Sequence, residues 1–278
     1  MNSTYSKENK PKIVLLTGSE LRHDYFRKEI AKNLKIDVIS SFCEGKEKSL
    51  ENLIKKNKGS SSLIRRHAEE RKKSEEVFFS KIKLSTDSSN PVFIKKGEIN
   101  NKPIVKKIIE MNPDLIVCYG SSLIKSELLE KFKGKFINVH LGLSPHYRGS
   151  GTNIWPLINK EPEYIGATFM YIDSGIDTGN IIHQIRAEIK VNDSPHMIGN
   201  RLIREMTIVY QKIITNFLNL KLLPQPDKKK GRLYLIKDFD NESCLKLYKN
   251  FEGSMIKDYL LFKKDRDKKA KLIENNLT

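Results

Sequence analysis

The sequence predicts an α/β protein built on a doubly wound, mostly parallel sheet with a small C-terminal appendage, and three observations carry that prediction. Residues 12–16 (KIVLL) form a short apolar run that ends at Thr17-Gly18-Ser19, and an amphipathic stretch follows to about Lys32. A strand, a turn and a helix in that order are how such sheets begin. Residues 115–120 (LIVCYG) are apolar without a break until the glycine, as suits a parallel strand covered on both faces. Residues 136–140 (FINVH) favour a strand, and the turn signal Ile176-Asp177-Thr178-Gly179 separates two further apolar runs, 166–172 and 180–182.

The remaining elements follow in chain order. Residues 1–11 are polar and lack an apolar core, so they read as a disordered lead-in and not a signal peptide. Residues 36–40 are the second strand. Residues 43–85 are highly charged and helical in character, broken at Gly59-Ser60-Ser61-Ser62, within a long connection, 43–90, between the second and third strands. Within it His67, Arg71 and Glu75 recur every four residues and share a helix face, which reads first as a solvated, self-paired surface. Residues 91–94 are the third strand, 102–111 a helix stopped by Asn112-Pro113, 123–132 a helix leading into FINVH, and 200–218 a long amphipathic helix. The single tryptophan, Trp155, is assigned to the core. Pro224-Gln225-Pro226 marks a boundary, so the chain divides into 12–223 and 224–278. The second part holds a strand-like piece at 231–236 and a helical region at 240–264, and is too short for a core of its own. It is expected to pack on the first part.

Composition narrows the class. With 38% hydrophobic and 31% charged residues, and no apolar run near the roughly 20 residues that cross a bilayer, the chain reads as soluble. Cys43, Cys118 and Cys244 are odd in number and widely spaced, with no metal-site rhythm, which fits a reducing cytoplasmic compartment and no metal. The formal charge is +17, with excesses of +3, +4, +5 and +5 over residues 1–42, 43–90, 91–223 and 224–278. A dedicated RNA-binding arm or a polybasic anchor would concentrate that charge. Even the denser Lys228-Lys229-Lys230 and Lys268-Lys269 lie among acidic residues. A Lys-rich solvated surface is the expectation, and nucleic acid and membrane are not the favoured partners. Oligomeric state is open. The first turn holds neither a Gly-x-Gly-x-x-Gly fingerprint nor a P-loop.

The candidate chemistry lies between residues 136 and 184. Side chains two apart on a strand share a face, so Asn138 and His140 point the same way. Asp177 sits in a turn at a strand end, where open α/β sheets bind ligands. An Asn amide and a protonated His can both donate to an oxyanion. A nearby Asp favours the imidazolium and can accept or relay a proton from an attacking amine. Taken singly, Asn138 and His140 are an ordinary polar strand end and Asp177 an ordinary turn residue. The lone Asp-Thr-Gly lacks the second copy an aspartic protease needs. Jointly they fit direct acyl or formyl transfer without a Ser or Cys nucleophile.

Asn138-x-His140, then Leu143-Ser144-Pro145-x-Tyr147-Arg148-Gly149, then Ile172-Asp173-Ser174-Gly175-Ile176-Asp177-Thr178-Gly179, together resemble the catalytic domain of the folate-dependent formyltransferases. The resemblance implies a Rossmann-like domain that takes 10-formyltetrahydrofolate as donor and an amine as acceptor. It assigns Asn138 and His140 to polarising the formyl oxygen, and Asp177 to holding His140 charged and moving the amine proton. It also assigns folate contacts to Gly120, Ser121, Ser122 and Leu123, and to Ile172, Asp173 and Gly175 in the loop before Asp177. Three acceptors are open within the family. Methionyl-tRNA formyltransferases carry a longer β-barrel after the catalytic domain, and glycinamide ribonucleotide formyltransferases carry a Gly-x-Gly-Ser-Asn loop that Thr17-Gly18-Ser19-Glu20 does not match. The short appendage is most like the sugar N-formyltransferases, so an amino-sugar nucleotide is the first expectation, with His67 or Arg71 as candidate acceptor contacts. Hydrolysis of the formyl-folate, or a basic RNA-binding protein that keeps the fold without the activity, are the alternatives.

Overall fold

The computed structural model describes residues 10–45, 62–226 and 231–277. Most of the expected lead-in, the Gly59-Ser60-Ser61 break and the Lys228-Lys229-Lys230 cluster lie outside them.

Seven strands form the main sheet: β1 (Lys12–Thr17), β2 (Asp37–Glu44), β3 (Pro91–Ile94), β4 (Leu115–Tyr119), β5 (Phe136–His140), β7 (Gly166–Tyr171) and β8 (Ile181–Arg186), with the short β6 (Tyr147–Gly149) outside it. Their order is β3-β2-β1-β4-β5-β7-β8. The first five run parallel, β7 is antiparallel to β5, and β8 is antiparallel to β7. The apolar runs at 12–16 and 115–120 are therefore neighbouring central strands. Their alternate residues feed two cores. Ile13, Leu15, Leu115 and Val117 face one side, while Val14, Leu16, Ile116 and Cys118 face the other.

Helices cover both faces. On the first lie α1 (Leu21–Ala31), with Phe26 and Ile30, and the long α6 (Pro195–Thr215), with Leu202, Met206 and Tyr210. α2 (Ser62–Phe79) packs on α1 and α6. On the second face lie α3 (Lys102–Met111), through Val105 and Ile108, and α4 (Ser126–Lys131), through Leu128. Burial of these apolar side chains, at about 1.5–3 kcal/mol each, is what chiefly holds the layers together. No helix among the described residues is long and apolar enough to cross a membrane.

Several boundaries differ from the sequence expectation. β2 runs on to Glu44, so the charged stretch opens as strand, because Phe42 and Cys43 are fully buried between β1 and β3. α4 begins at Ser126, since residues 120–125 form the loop that leaves β4. α6 begins at Pro195, five residues early. Ser194 caps it by accepting from the Met197 amide at 3.2 Å, and proline at the first position needs no hydrogen bond there.

The C-terminal region packs on the rest as expected. β9 (Arg232–Tyr234) pairs in parallel with β6, while α7 (Asn241–Glu252) docks on the short α5 (Trp155–Ile158) through Asn250, whose amide donates to the Leu157 and Ile158 carbonyls at 2.9 Å each. After α8 (Met255–Leu261) and α9 (Lys263–Lys269), the Asn275 amide donates to the Ile182 carbonyl at 2.5 Å, and Leu223 bridges Ile181. The exposed edge of β8 is thereby covered. At the other edge, β3 is short and starts with proline, which suits an edge position.

Candidate active site

Reversal of strand order between β1 and β4 opens a crevice beyond their C-terminal ends. A cavity of about 710 Å³ occupies it. Asn138, His140 and Asp177 all line this cavity, as do Gly120, Ser121, Ser122, Leu123, Ile172, Asp173 and Gly175. The sheet accounts for the first two: β5 pairs with β4 on one side and β7 on the other, so its last residues are rigidly held at the mouth of the crevice.

His140 is fixed on all sides. Its Nε2 lies 2.8 Å from the Tyr147 carbonyl oxygen and 3.2 Å from the Thr152 hydroxyl. That hydroxyl donates to the Leu141 carbonyl at 2.7 Å and so offers His140 a lone pair. Both neighbours accept, so the network assigns a proton to Nε2. Nδ1 lies 3.3 Å from Asp177 Oδ2. Nδ1 therefore faces the Asp177 carboxylate. At 3.3 Å this contact is longer than the usual 2.7–2.9 Å of a charge-assisted bond. Gly142 makes room for the ring, since a Cβ there would fall 2.6 Å from Nε2.

Asp177 has left-handed backbone, φ 52°, a conformation that Asp tolerates better than most residues. The Gln225 amide holds the turn by donating to the Asp177 and Gly179 carbonyls at 2.9 and 2.8 Å. Asp177 Oδ2 also accepts from the Gly149 amide at 2.8 Å, whereas Oδ1 has no hydrogen-bond partner among the described residues. The Asn138 carboxamide likewise has none, although it is half-buried in the cavity wall. One unused amide donor, one imidazole held against a carboxylate and one unused carboxylate oxygen therefore face the same space.

The two loops around this centre are braced by carboxylates. Asp173 Oδ1 accepts from the Gly175 amide at 3.0 Å and the Thr178 hydroxyl at 2.6 Å, clasping the 172–179 turn. The fully buried Glu44 at the end of β2 accepts from the Ser122 amide at 2.6 Å and the Gly97 amide at 2.8 Å, with Lys96 at 3.4 Å. Sequence reasoning missed Glu44, Thr152 and Gln225. A charged residue closing an apolar strand run was the one available signal for Glu44.

One wall of the cavity is cationic. Arg22 donates to Glu75 Oε1 at 2.8 Å and Arg71 to the same oxygen at 3.3 Å, and both arginines line the cleft. Arg71 holds its proton less tightly than an ordinary arginine, chiefly because of the Arg22 charge and then burial, although Glu75 and Glu20 act the other way. His23, packed edge-on to Tyr119 with ring centroids 4.9 Å apart, is pushed well below its ordinary value by burial and then by Arg22, Arg71 and Lys96. Of the solvated, self-paired face expected over His67, Arg71 and Glu75, the pairing of Arg71 with Glu75 is present and Arg71 stays partly exposed, but the solvated reading is overturned for the other two. His67 and Glu75 are each only 6% exposed, because α1, α6 and α7 close over that side of α2. Trp155 is buried as expected and stacks on Tyr234 at 4.2 Å. Among the described residues no group of three or more His, Cys, Asp or Glu could hold a metal ion.

Comparison with known proteins agrees with this geometry. A family model described as "Formyl transferase" matches residues 12–214. The methionyl-tRNA formyltransferase of Clostridioides difficile (strain 630) is 36% identical over 112 residues, 40% of this chain and 35% of that protein. That of Caldanaerobacter subterraneus subsp. tengcongensis is 28% identical over 189 residues, 67% of this chain and 60% of that protein. The chain therefore spans between about a third and three-fifths of these relatives. Among solved structures, an N-formyltransferase from Helicobacter canadensis, in complex with folinic acid and dTDP-3-aminofucose, shares the fold with TM-score 0.52 and 20% identity, covering 88% of this chain and 81% of that one.

Proposed function

The chain belongs to the formyl transferase family, and from that premise we propose that it transfers a formyl group from 10-formyltetrahydrofolate to the amine of a nucleotide-linked amino sugar. The observation that carries this reading is the free Asn138 amide beside the His140–Asp177 pair in one 710 Å³ cleft. The cleft suits such a donor: Gly120, Ser121, Ser122 and Leu123, together with Ile172, Asp173 and Gly175, would hold the pterin, and the braced loops they belong to limit the entropy lost on binding.

When bound, the donor supplies an electrophilic formyl carbon, and the chain's residues do the rest. Asn138 Nδ2 donates to the formyl oxygen as negative charge develops on it. His140 adds the positive charge that Asp177 holds in place, and preorganised donors of this kind each contribute on the order of 10²–10³ in rate. The acceptor nitrogen would bond to the formyl carbon with the carbonyl electron pair moving to the oxygen that faces Asn138 and His140, and return of that pair would break the bond to the folate nitrogen. Asp177 Oδ1 takes the proton the amine loses and returns it to the leaving folate nitrogen. Arg22 and Arg71 favour an acceptor bearing phosphate, since planar guanidinium groups bind two oxygens at once. A second reading, methionyl-tRNA as acceptor, is favoured by the names of the sequence relatives.

The test offers the purified protein 10-formyltetrahydrofolate with a panel of amines and follows deformylated folate by absorbance. Turnover with amino-sugar nucleotides supports the first reading, and turnover only with methionyl-tRNA the second. Folate turnover that is indifferent to every amine would mean hydrolysis.

A further inference from the structure

A second cavity of about 130 Å³ opens beside the first, and the two share Arg71 and the turn through Ser150, Gly151 and Asn153. A cavity of about 150 Å³ holds one benzene-sized ring, so this chamber has the capacity of a single ring. Its walls come from three separate parts of the chain: His67 and Arg71 on α2, His196 on the first turn of α6, and Trp155 with Ile236 and Phe239 from α5 and the C-terminal region. The centroids of the two histidine rings lie 4.5 Å apart, and Phe239 is 5.2 Å from His67.

The polar groups of this chamber are incompletely used. His196 is 6% exposed, yet its Nε2 is buried without a partner. Burial, and then the Arg71 charge, push His196 down to about 4, against the effect of its hydrogen bond to the His67 backbone. Burial, then His196 and Arg71, push His67 down to about 3. Both rings are therefore neutral at physiological pH. The Tyr248 hydroxyl donates to Glu70 at 2.8 Å, so His67 Nδ1, 3.2 Å from it, is the donor in that pair and leaves Nε2 a lone pair. The Asn153 carboxamide has no hydrogen-bond partner among the described residues. A buried acceptor left unpaired is unfavourable, so a ligand that donates a hydrogen bond to it would be favoured.

We propose that this second cavity is a specificity subsite of the formyl acceptor, taking an uncharged ring that donates hydrogen bonds, while Arg71 at the shared wall takes the phosphate joined to that ring. The subsite deepens the formyl-transfer reading and rests on it. A pyrimidine base and a sugar both supply such a ring.

Calorimetric titration of the full chain with uridine 5′-diphosphate, glucose 1-phosphate and pyrophosphate tests the subsite. At least one ring-bearing ligand should bind about tenfold or more tighter than pyrophosphate, and which of the two does so identifies the source of the ring. His196→Phe, which removes the acceptor nitrogen and fills the chamber, should abolish that advantage and leave pyrophosphate affinity unchanged. His196→Gln, whose carbonyl can still accept, should recover part of it and serves if the phenylalanine variant fails to fold. Equal affinity for all three ligands in the unaltered protein, or an unchanged advantage in His196→Phe, overturns the subsite. Folinic acid is titrated in parallel: if it binds while no ring advantage is seen, the subsite alone falls, and if it does not bind either, the formyl-transfer reading falls with it.

Discussion

Two histidines held neutral by burial at a junction of three helices give a stability that depends on pH in a defined window. His67 and His196, at about 3 and about 4 in the folded protein, return to about 6.5 when the chain unfolds. Between those limits the unfolded chain binds protons the folded one refuses, so stability is present above about pH 6.5 and is lost as pH falls. Each histidine then contributes a slope of about 1.4 kcal/mol per pH unit. Between pH 7.5 and 5.0 each costs about 2 kcal/mol, and the pair about 4 kcal/mol, a large share of the roughly 5–15 kcal/mol of a typical domain. Glu70, Asp87 and Glu161, held below their ordinary carboxylate values, lose stability only at lower pH and stay outside this window. The assay is urea unfolding at pH 7.5 and 5.0 for the unaltered protein, His67→Gln, His196→Gln and the double variant. The drop between the two pH values should shrink by about 2 kcal/mol in each single variant and about 4 kcal/mol in the double one. Parallel losses in all four proteins would refute the neutral, buried pair.

The other expectations concern the cleft. Asn138→Ala should lower turnover by about 10²–10³ with folate binding retained, as read by steady-state rates beside folate titration; near-normal turnover would remove Asn138 from the reacting centre. Glu44→Ala leaves the Ser122 and Gly97 amides without their acceptor, at about 1–3 kcal/mol each. It should lower the unfolding midpoint and raise the KM for the folate donor more than that for the acceptor, and an equal rise in both would separate Glu44 from the folate wall. Asp177→Asn keeps the shape of the turn but removes the charge facing His140, so kcat should fall while both KM values hold in initial-rate measurements.

How much of this could be read from residues alone depends on how local the determining contacts are. β1, β4 and β5 were legible because each is a short apolar run bounded by a turn, and the period of two fixed Asn138 and His140 on one face. Asp177 was legible as a turn residue, though not its hydrogen bond from Gly149. The fate of the His67, Arg71 and Glu75 face was not, because its covering partners come much later in the chain: Tyr248 is 181 residues from His67, and Asn200 reaches back 126 residues to Ser74. A helix with charges every four residues looks the same in sequence whether water or another helix covers it. The pairing of Gly149 with Tyr234 is equally remote. A Cβ on Gly149 would fall 2.1 Å from the Tyr234 carbonyl oxygen, a close approach invisible until β6 and β9 are seen side by side. Glu44 stayed hidden because its partners are backbone amides, which carry no sequence signature.

Direct passage of the formyl carbon to an amine, in the cleft of Asn138, His140 and Asp177, is the central claim. Single-turnover transfer with the formyl carbon of the donor isotopically labelled, in the presence of an amino-sugar nucleotide, measures it most directly. Direct transfer predicts that the label appears in an amide on the acceptor, one for each donor consumed, and that Asn138→Ala and Asp177→Asn slow its appearance. Label recovered as free formate at the same rate with and without the acceptor, or transfer unaffected in both variants, would contradict it.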